Sequence, residues 1–351
     1  MSENQKVNEN SFKDLSVTII FDGSALNRDE KIGGNIQSIK KLNVGGKVKS
    51  FLSRPAIRHY LFNTLVRSSN WKAASITGQG QVAQFDILKD DILTSEELDA
   101  FGYMFTIGGE NSITRKAPVG MTKAISLLPY EQDMAFYANH DLVQRGNEKG
   151  LDLTPNPFQR EENDSLYKLS FTIDSKIFGE DVWIITEKPS YKEESKILTI
   201  KIGTEKNMNI EEKIDDNNYE TQNGSIKIEK INSAFKVIFK LKEELKKERI
   251  CQILKVIHNG LLAHSSGEDN TIVPLFMIAS QVKIPGPIFH SYIDICKNED
   301  GMVVIGLLDC LKNGWLDGKV YIQDCERLKV KLDDEKICRD WDEWLNSAGL
   351  T

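Results

Sequence analysis

Near the start of the chain Leu15, Val17, Ile19 and Phe21 alternate with Ser16 and Thr18, the period-two pattern of a strand with one face on a core. Asp22-Gly23 stops it. From Gly23 to Ser50 the chain carries Gly33, Gly34, Gly45 and Gly46 with no regular apolar spacing, which predicts a long loop. Ser53 with Pro55 just behind it marks a helix start, because Ser caps free amides and Pro fits a first turn. Ile57, Tyr60, Leu61 and Leu65 then recur at helical spacing and put one apolar face on the core.

Leu245, Ile250, Ile253, Leu254, Ile257 and Leu261 predict a second helix, entered through a Lys/Glu-rich lead-in and ended by Ser265-Ser266-Gly267. Between the helices, Tyr167, Leu169, Phe171 and Ile173 alternate with polar residues as a strand, and Ala117 to Leu128 is a further strand candidate. Ile272 to Val282 reads as a buried strand closed by Pro285-Gly286-Pro287. The order is βαββαβ. It predicts an α+β fold, a ferredoxin-like or RRM-type core in which two helices cover one face of an antiparallel sheet. The spacing exceeds what such a core needs, so a single modified palm domain over residues 1–351 must carry insertions. One is Pro129 to Asp164, rich in breakers and a candidate thumb; another is Glu187 to Lys247, a Lys/Glu-rich lobe with strand-like runs at Leu198–Ile202 and Phe235–Leu241. Asp333 to Leu345, with Trp341 and Trp344, predicts a short amphipathic helix packed on its own domain.

An apolar content of 40% supports a sizeable core. No apolar run approaches the roughly 18 residues a membrane-spanning helix needs, so no membrane partner is expected. Met1 to Asp14 lacks signal-peptide and transit-peptide patterns, which leads us to expect a cytoplasmic protein. The five cysteines, Cys251, Cys296, Cys310, Cys325 and Cys338, never form a CxxC pair, and His258 and His264 are wrongly spaced for two ligands on one helical face. Neither a disulfide framework, a metal site nor a cofactor is expected. The net charge of −7 argues against a polyanion partner only until it is divided. Residues 1–80 hold 12 basic and 6 acidic residues, a net of +6, and the remainder carries −13. Local charge, not the total, sets a binding footprint.

The positive charge gathers around the predicted strand, loop and helix start. Between Asp29 and Lys72 stand nine basic residues and two acidic ones. Arg28, Lys40, Lys41, Lys47, Lys49, Arg54 and Arg58 supply donors, glycines allow close backbone approach, and a helix N-terminus favours an anion. A polyanion site and a solvated basic loop both fit this pattern. The loop carries neither GxxxxGK[ST] nor a G-x-G-x-x-G placed after the first strand, and the chain has no GxSxG or HExxH. Asp22, Asp29 and Glu30 lie close enough to the basic loop to assist RNA cleavage, but loop polarity also accounts for them.

Taken together, Thr18-Ile19-Ile20-Phe21-Asp22-Gly23, Leu26-Asn27-Arg28-Asp29-Glu30, Gly34-Asn35, Ile39-Lys40-Lys41 and Ser53-Arg54-Pro55-Ala56-Ile57-Arg58 resemble the N-terminal pattern of the CRISPR-associated Cas-seven family. Within that family they look like the DevR-type autoregulator branch of type I-B systems. Phe101-Gly102-Tyr103-Met104, Arg115-Lys116 to Ser126, and Arg249 to Gly260 followed by Pro274-Leu275-Phe276 fit the same branch. The resemblance implies a non-catalytic backbone subunit of Cascade. Such a subunit polymerises head to tail with copies of itself along CRISPR RNA, beside Cas-five, Cas-six, large and small subunits, and presents the guide to a target DNA strand. It implies RNA contacts at Asn27, Lys40, Lys41, Ser53, Arg54 and Arg58, with Arg115 and Lys116 as further candidates, and Arg28, Asn35, Lys47 and Lys49 of the same basic loop complete the candidate RNA-binding set. These would hold phosphate and ribose and leave base edges free. The stretch Glu187 to Lys247 matches nothing in that pattern. An RNA-cleaving subunit of the type III kind and a stand-alone RNA-binding regulator are the alternatives.

Overall fold

The computed structural model describes residues 13–24, 28, 36–79, 82–107, 111–265, 268–299 and 301–351. It is a strand-rich α+β protein. Strand β1 (Asp14–Ser24) runs antiparallel to β2 (Asp164–Ile173) on one side and β3 (Pro274–Val282) on the other, with Ile19 opposite both Leu169 and Met277. The far edge of β2 pairs with two short strands, Val119–Met121 and Ala124–Ser126, so the predicted strand over 117–128 is split in two. The strand Leu316–Gln323 extends the sheet beyond β3, and Ile337–Cys338 pairs parallel to it.

Helix α1 (Arg54–Ser69) begins where the sequence predicts: the Ser53 side chain accepts from the Ala56 amide and Pro55 sits in the first turn. Its Ile57, Leu61 and Leu65 pack with Ile250, Ile253, Leu254 and Ile257 of helix α2 (Glu243–Asn259) onto Leu15, Val17, Ile19 and Phe21. Both helices therefore cover one face of the sheet. The other face is covered too, since Ile20, Phe276 and Ile278 pack with Phe289, Ile293, Val320 and Ile322. Strand β1 is thus buried on both faces rather than one, and its Ser16 and Thr18 are fully buried. Thr18 and Ser170 satisfy each other across the sheet at 2.7 Å, and Ser170 Oγ meets His290 Nδ1 at 2.8 Å.

Three further expectations are corrected. The segment Gly23 to Ser50 is not all loop: Lys41–Val44 and Lys47–Leu52 form a hairpin closed by Gly45 and Gly46 at φ of 59° and 79°, the turn in which both central residues need positive φ. Helix α2 stops at Gly260, φ 113°, before Leu261, because Leu261–Ser265 is a strand paired with Glu268–Ile272. Ile272 consequently belongs to that hairpin, and β3 starts at Pro274.

Within Pro129 to Asp164, Asp133–Tyr137 and Phe158–Glu162 pair as an antiparallel hairpin with the helix His140–Asn147 between them, and Tyr137 stacks on Phe158 at 5.4 Å. The polar 187–247 region is built around a real core. The strands Ile197–Ile202, Gly224–Ile231 and Ala234–Leu241 bury Leu198, Ile200, Ile226, Ile228, Val237 and Phe239 against Trp183 and against Ile87, Ile92 and Tyr103 from earlier in the chain. The C-terminal helix is Trp341–Ser347, shorter than the predicted span, and Trp344 is 1% exposed in the main core.

Candidate nucleic-acid interface

The hairpin Lys41–Leu52 forms the end of the main sheet and leads directly through Ser53 into α1. A cleft of about 530 Å³ opens there, lined by Arg54, Arg58, His59, Phe62, Glu97 and Phe101 with Val119 to Met121 as its floor. Arg54, His59 and Lys47, the first residue of its strand, are exposed, and Lys49 donates to the Leu127 carbonyl at 3.1 Å. Arg58 is half-committed. Its Nη2 lies 3.3 Å from Glu97 Oε1 and its guanidinium sits 4.9 Å from the Phe101 ring centre, which fixes its plane at the cleft wall. Lys40 is partly buried, and its carbonyl accepts from the Phe51 amide. Ser53 serves as the helix cap.

Other predicted contacts are placed differently. Arg115 is a correction: its side chain is 2% exposed, donates to Asp99 Oδ1 at 2.8 Å and to the Ile177 carbonyl at 2.9 Å, and belongs to a buried ion-pair cluster rather than to a surface. Its neighbour Lys116 is exposed. Arg28 contacts the Glu161 carbonyl, Glu162 and Glu268. Lys41 Nζ is held 2.6 Å from Glu161 Oε1 and lies over the Tyr130 ring. Burial alone would raise the Glu161 carboxyl, but donation from Lys41, the Ile39 amide and Ser38 overrides it and holds the group at about 2. Asn27, Asn35, Asp29 and Glu30 lie outside the described residues. Asp22 is paired with Arg327 at 2.6 Å.

Sequence reasoning passed over His59, Phe62 and Lys123. The last is exposed, one residue before the strand Ala124–Ser126, and its Nζ lies 5.2 Å from the Phe51 ring centre on the Lys47–Leu52 strand. Its signal was present in Met121-Thr122-Lys123, but only strand pairing brings it beside residues seventy positions earlier. Among the described residues no group of three or more His, Cys, Asp or Glu could hold a metal ion, and all five cysteines are free thiols. No helix of the described residues is long and apolar enough to cross a membrane.

Two solved structures titled "CRISPR RNA-guided surveillance complex", one of them described as pre-nicking, each align with this chain at a TM-score of 0.49 and 11% identity. Each alignment covers 96% of this chain and 98% of the other. No curated protein matches the chain. The family described as CRISPR-associated negative auto-regulator DevR/Csa2 matches residues 15–299, more than three quarters of the length, and the chain belongs to that family.

Proposed function

We propose that this chain is a guide-RNA-binding backbone subunit of a CRISPR interference complex, of the Cas-seven kind and the type I-B class, with no enzymatic activity of its own. The observation that carries the reading is the cleft at the start of α1, lined by Arg54, Arg58 and His59, with exposed Lys116 next in sequence to its lining residue Ala117 and exposed Lys123 beside Phe51 on the strand that leads into the helix. Such a surface grips phosphates without base-edge readout. Family membership supports it. The sheet order supports a ferredoxin-like palm: the last core strand β3 pairs with the first, β1, which pairs with β2, whose outer edge takes the strands at 119–126, and both core helices lie on one face. The hairpin over 133–162 is the thumb in this reading. Copies would assemble head to tail in the cytoplasm on CRISPR RNA, with the other Cascade subunits at their flanks and target DNA pairing to the exposed guide.

The test is co-expression with a CRISPR array. Purified protein should carry short repeat-derived RNA, and nucleic-acid-free protein would refute the reading. Lys47→Glu with Arg54→Glu changes two exposed side chains, so the variant should melt as wild type while the slope of log affinity against log salt falls by about one for each phosphate no longer gripped. Complementary RNA with a divalent cation should remain uncut; periodic cleavage abolished by Asp22→Ala would favour the nuclease. The family description keeps the regulator as a second reading. Light scattering separates the two, since a regulator stays small on RNA and a backbone subunit forms multi-copy arcs.

A further inference from the structure

Arg28 and Arg160 converge on a single carboxylate. Arg28 Nη2 lies 3.3 Å from both oxygens of Glu268, and Arg160 Nη1 lies 2.5 Å from Oε1. Three separate segments meet on those two oxygens: Glu268 opens the strand Glu268–Ile272, Arg160 sits on the return strand of the thumb hairpin, and Arg28 forms an isolated bridge with Ile39. The Arg160 guanidinium is held beside the rings of Phe158 and Tyr137, at 5.1 and 5.5 Å, and its Nε is buried with no partner. Arg28 is held independently by Glu162, whose Oε2 lies 3.1 Å from the same Nη2, and by the Glu161 carbonyl, which accepts from Nη1. Both donors are therefore fixed without help from Glu268. Two preoriented guanidiniums around one two-oxygen anion make the geometry that takes a phosphate.

We propose that Arg28 and Arg160 form a backbone-phosphate site for RNA that the chain's own Glu268 fills in the free protein, and that an RNA phosphodiester displaces this carboxylate. The inference rests on the RNA-binding reading above. Glu268 is suited to leave: its side chain is 29% exposed against 12% for Arg28 and 17% for Arg160, so it can swing into water while the arginines cannot. The neighbouring Glu161 is the contrast, being 8% exposed and held by Lys41, Ser38 and the Ile39 amide. Displacement also unties the thumb hairpin from the hairpin Leu261–Ile272, so RNA entry and thumb release become one event. Specificity follows, because a weakly held polyanion must first outcompete a tethered carboxylate.

Anisotropy of a fluorescein-labelled 40-nucleotide single-stranded RNA tests this with the full chain. Glu268→Gln should tighten binding about fivefold at low salt, the factor that matches a partly exposed ion pair. Glu268→Asp keeps the charge but withdraws the carboxylate by one methylene, and should also tighten binding. Arg160→Ala should weaken binding and abolish the gain from Glu268→Gln in the double variant. Glu211→Gln, an equal charge change at an exposed lobe residue, is the control. A Glu268→Gln affinity equal to that of Glu211→Gln, or a gain that survives without Arg160, overturns the inference while leaving RNA binding standing. A wild-type chain that binds no RNA overturns both.

Discussion

Asp99 is the point at which a single substitution should cost the most. The residue is 0% exposed on the short helix Glu96–Phe101 and accepts from Arg115 Nη2 at 2.8 Å, Arg249 Nη1 at 2.9 Å and the Gly179 amide at 2.9 Å. Asp99→Ala leaves two guanidiniums, at 2% and 8% side-chain exposure, facing each other without their shared counter-charge. Arg249 keeps only the Ile92 carbonyl among its described partners, and Arg115 keeps Asp181 at 4.0 Å with two carbonyls. Breaking a buried pair by removing one partner costs about 3–5 kcal/mol, a large share of the roughly 5–15 kcal/mol that holds a folded protein. At about 2 °C per kcal/mol in a chain of this size, Tm should fall by roughly 6–10 °C. Asp99→Asn retains hydrogen-bond acceptance but not the charge, and should lose about half as much. Thermal melting followed by circular dichroism measures both. A Tm for Asp99→Ala within about 2 °C of wild type would refute the account of Asp99 as an electrostatic hub. Melting paired with RNA titration decides the role of Arg115: Arg115→Gln should lower Tm yet leave the salt slope of the proposed RNA binding unchanged, whereas a slope reduced by about one would make Arg115 a phosphate contact.

Two groups give acid sensitivity in separate windows. Glu161, depressed to about 2, contributes stability that is complete above its ordinary 4.5 and lost as pH falls toward 2; Glu161→Gln should flatten Tm against pH there. His290, pushed by burial and then by Lys168 from 6.5 down to about 4, stays neutral in the folded chain, so stability falls as pH drops from about 6.5 to 4, and His290→Gln should remove that slope. Gly102 and Gly45 both have positive φ, 65° and 59°, but a Cβ at Gly102 would strike the Arg115 carbonyl and the Ala117 amide while one at Gly45 meets nothing. Urea unfolding should therefore place Gly45→Ala near 1 kcal/mol and Gly102→Ala at least about twice that.

Elements with a strong apolar period were legible in the sequence: β2, α1 and α2 carry it, β1 carries it although both its faces are buried, and the Ser53-Pro55 pair set the helix start to the residue. The hairpin at Lys41–Leu52 escaped although Leu42, Val44 and Val48 alternate with Lys41, Asn43, Lys47 and Lys49, because the runs are short and Val44 and Val48 stay exposed instead of marking a core face. Its Gly45-Gly46 pair is nonetheless a two-residue hairpin signal. The lobe was bounded too narrowly because its core is discontinuous, drawing Ile87, Ile92 and Tyr103 to strands that begin some ninety residues later. The same reason governs the site. Arg54 lines the cleft at the helix start that local pattern marks, but Arg115 looks like any basic strand-end residue until Asp99 and Asp181 fold around it. Nothing in the sequence links Arg160 to Glu268, which lie 108 positions apart.

The placement of β1 between β2 and β3 also dictates an order of events on the ribosome. Of these three strands β1 is made before the others and needs Asp164–Ile173 on one edge and Pro274–Val282 on the other, so its second edge stays unpaired while some 250 further residues are synthesised. At about 5–20 residues per second that is on the order of 10–50 s. During that interval an extended strand carrying Leu15, Val17, Ile19, Ile20 and Phe21 is open to edge pairing with another nascent chain. Production of this protein should therefore respond to holding chaperones and to slower initiation more strongly than its final stability would suggest.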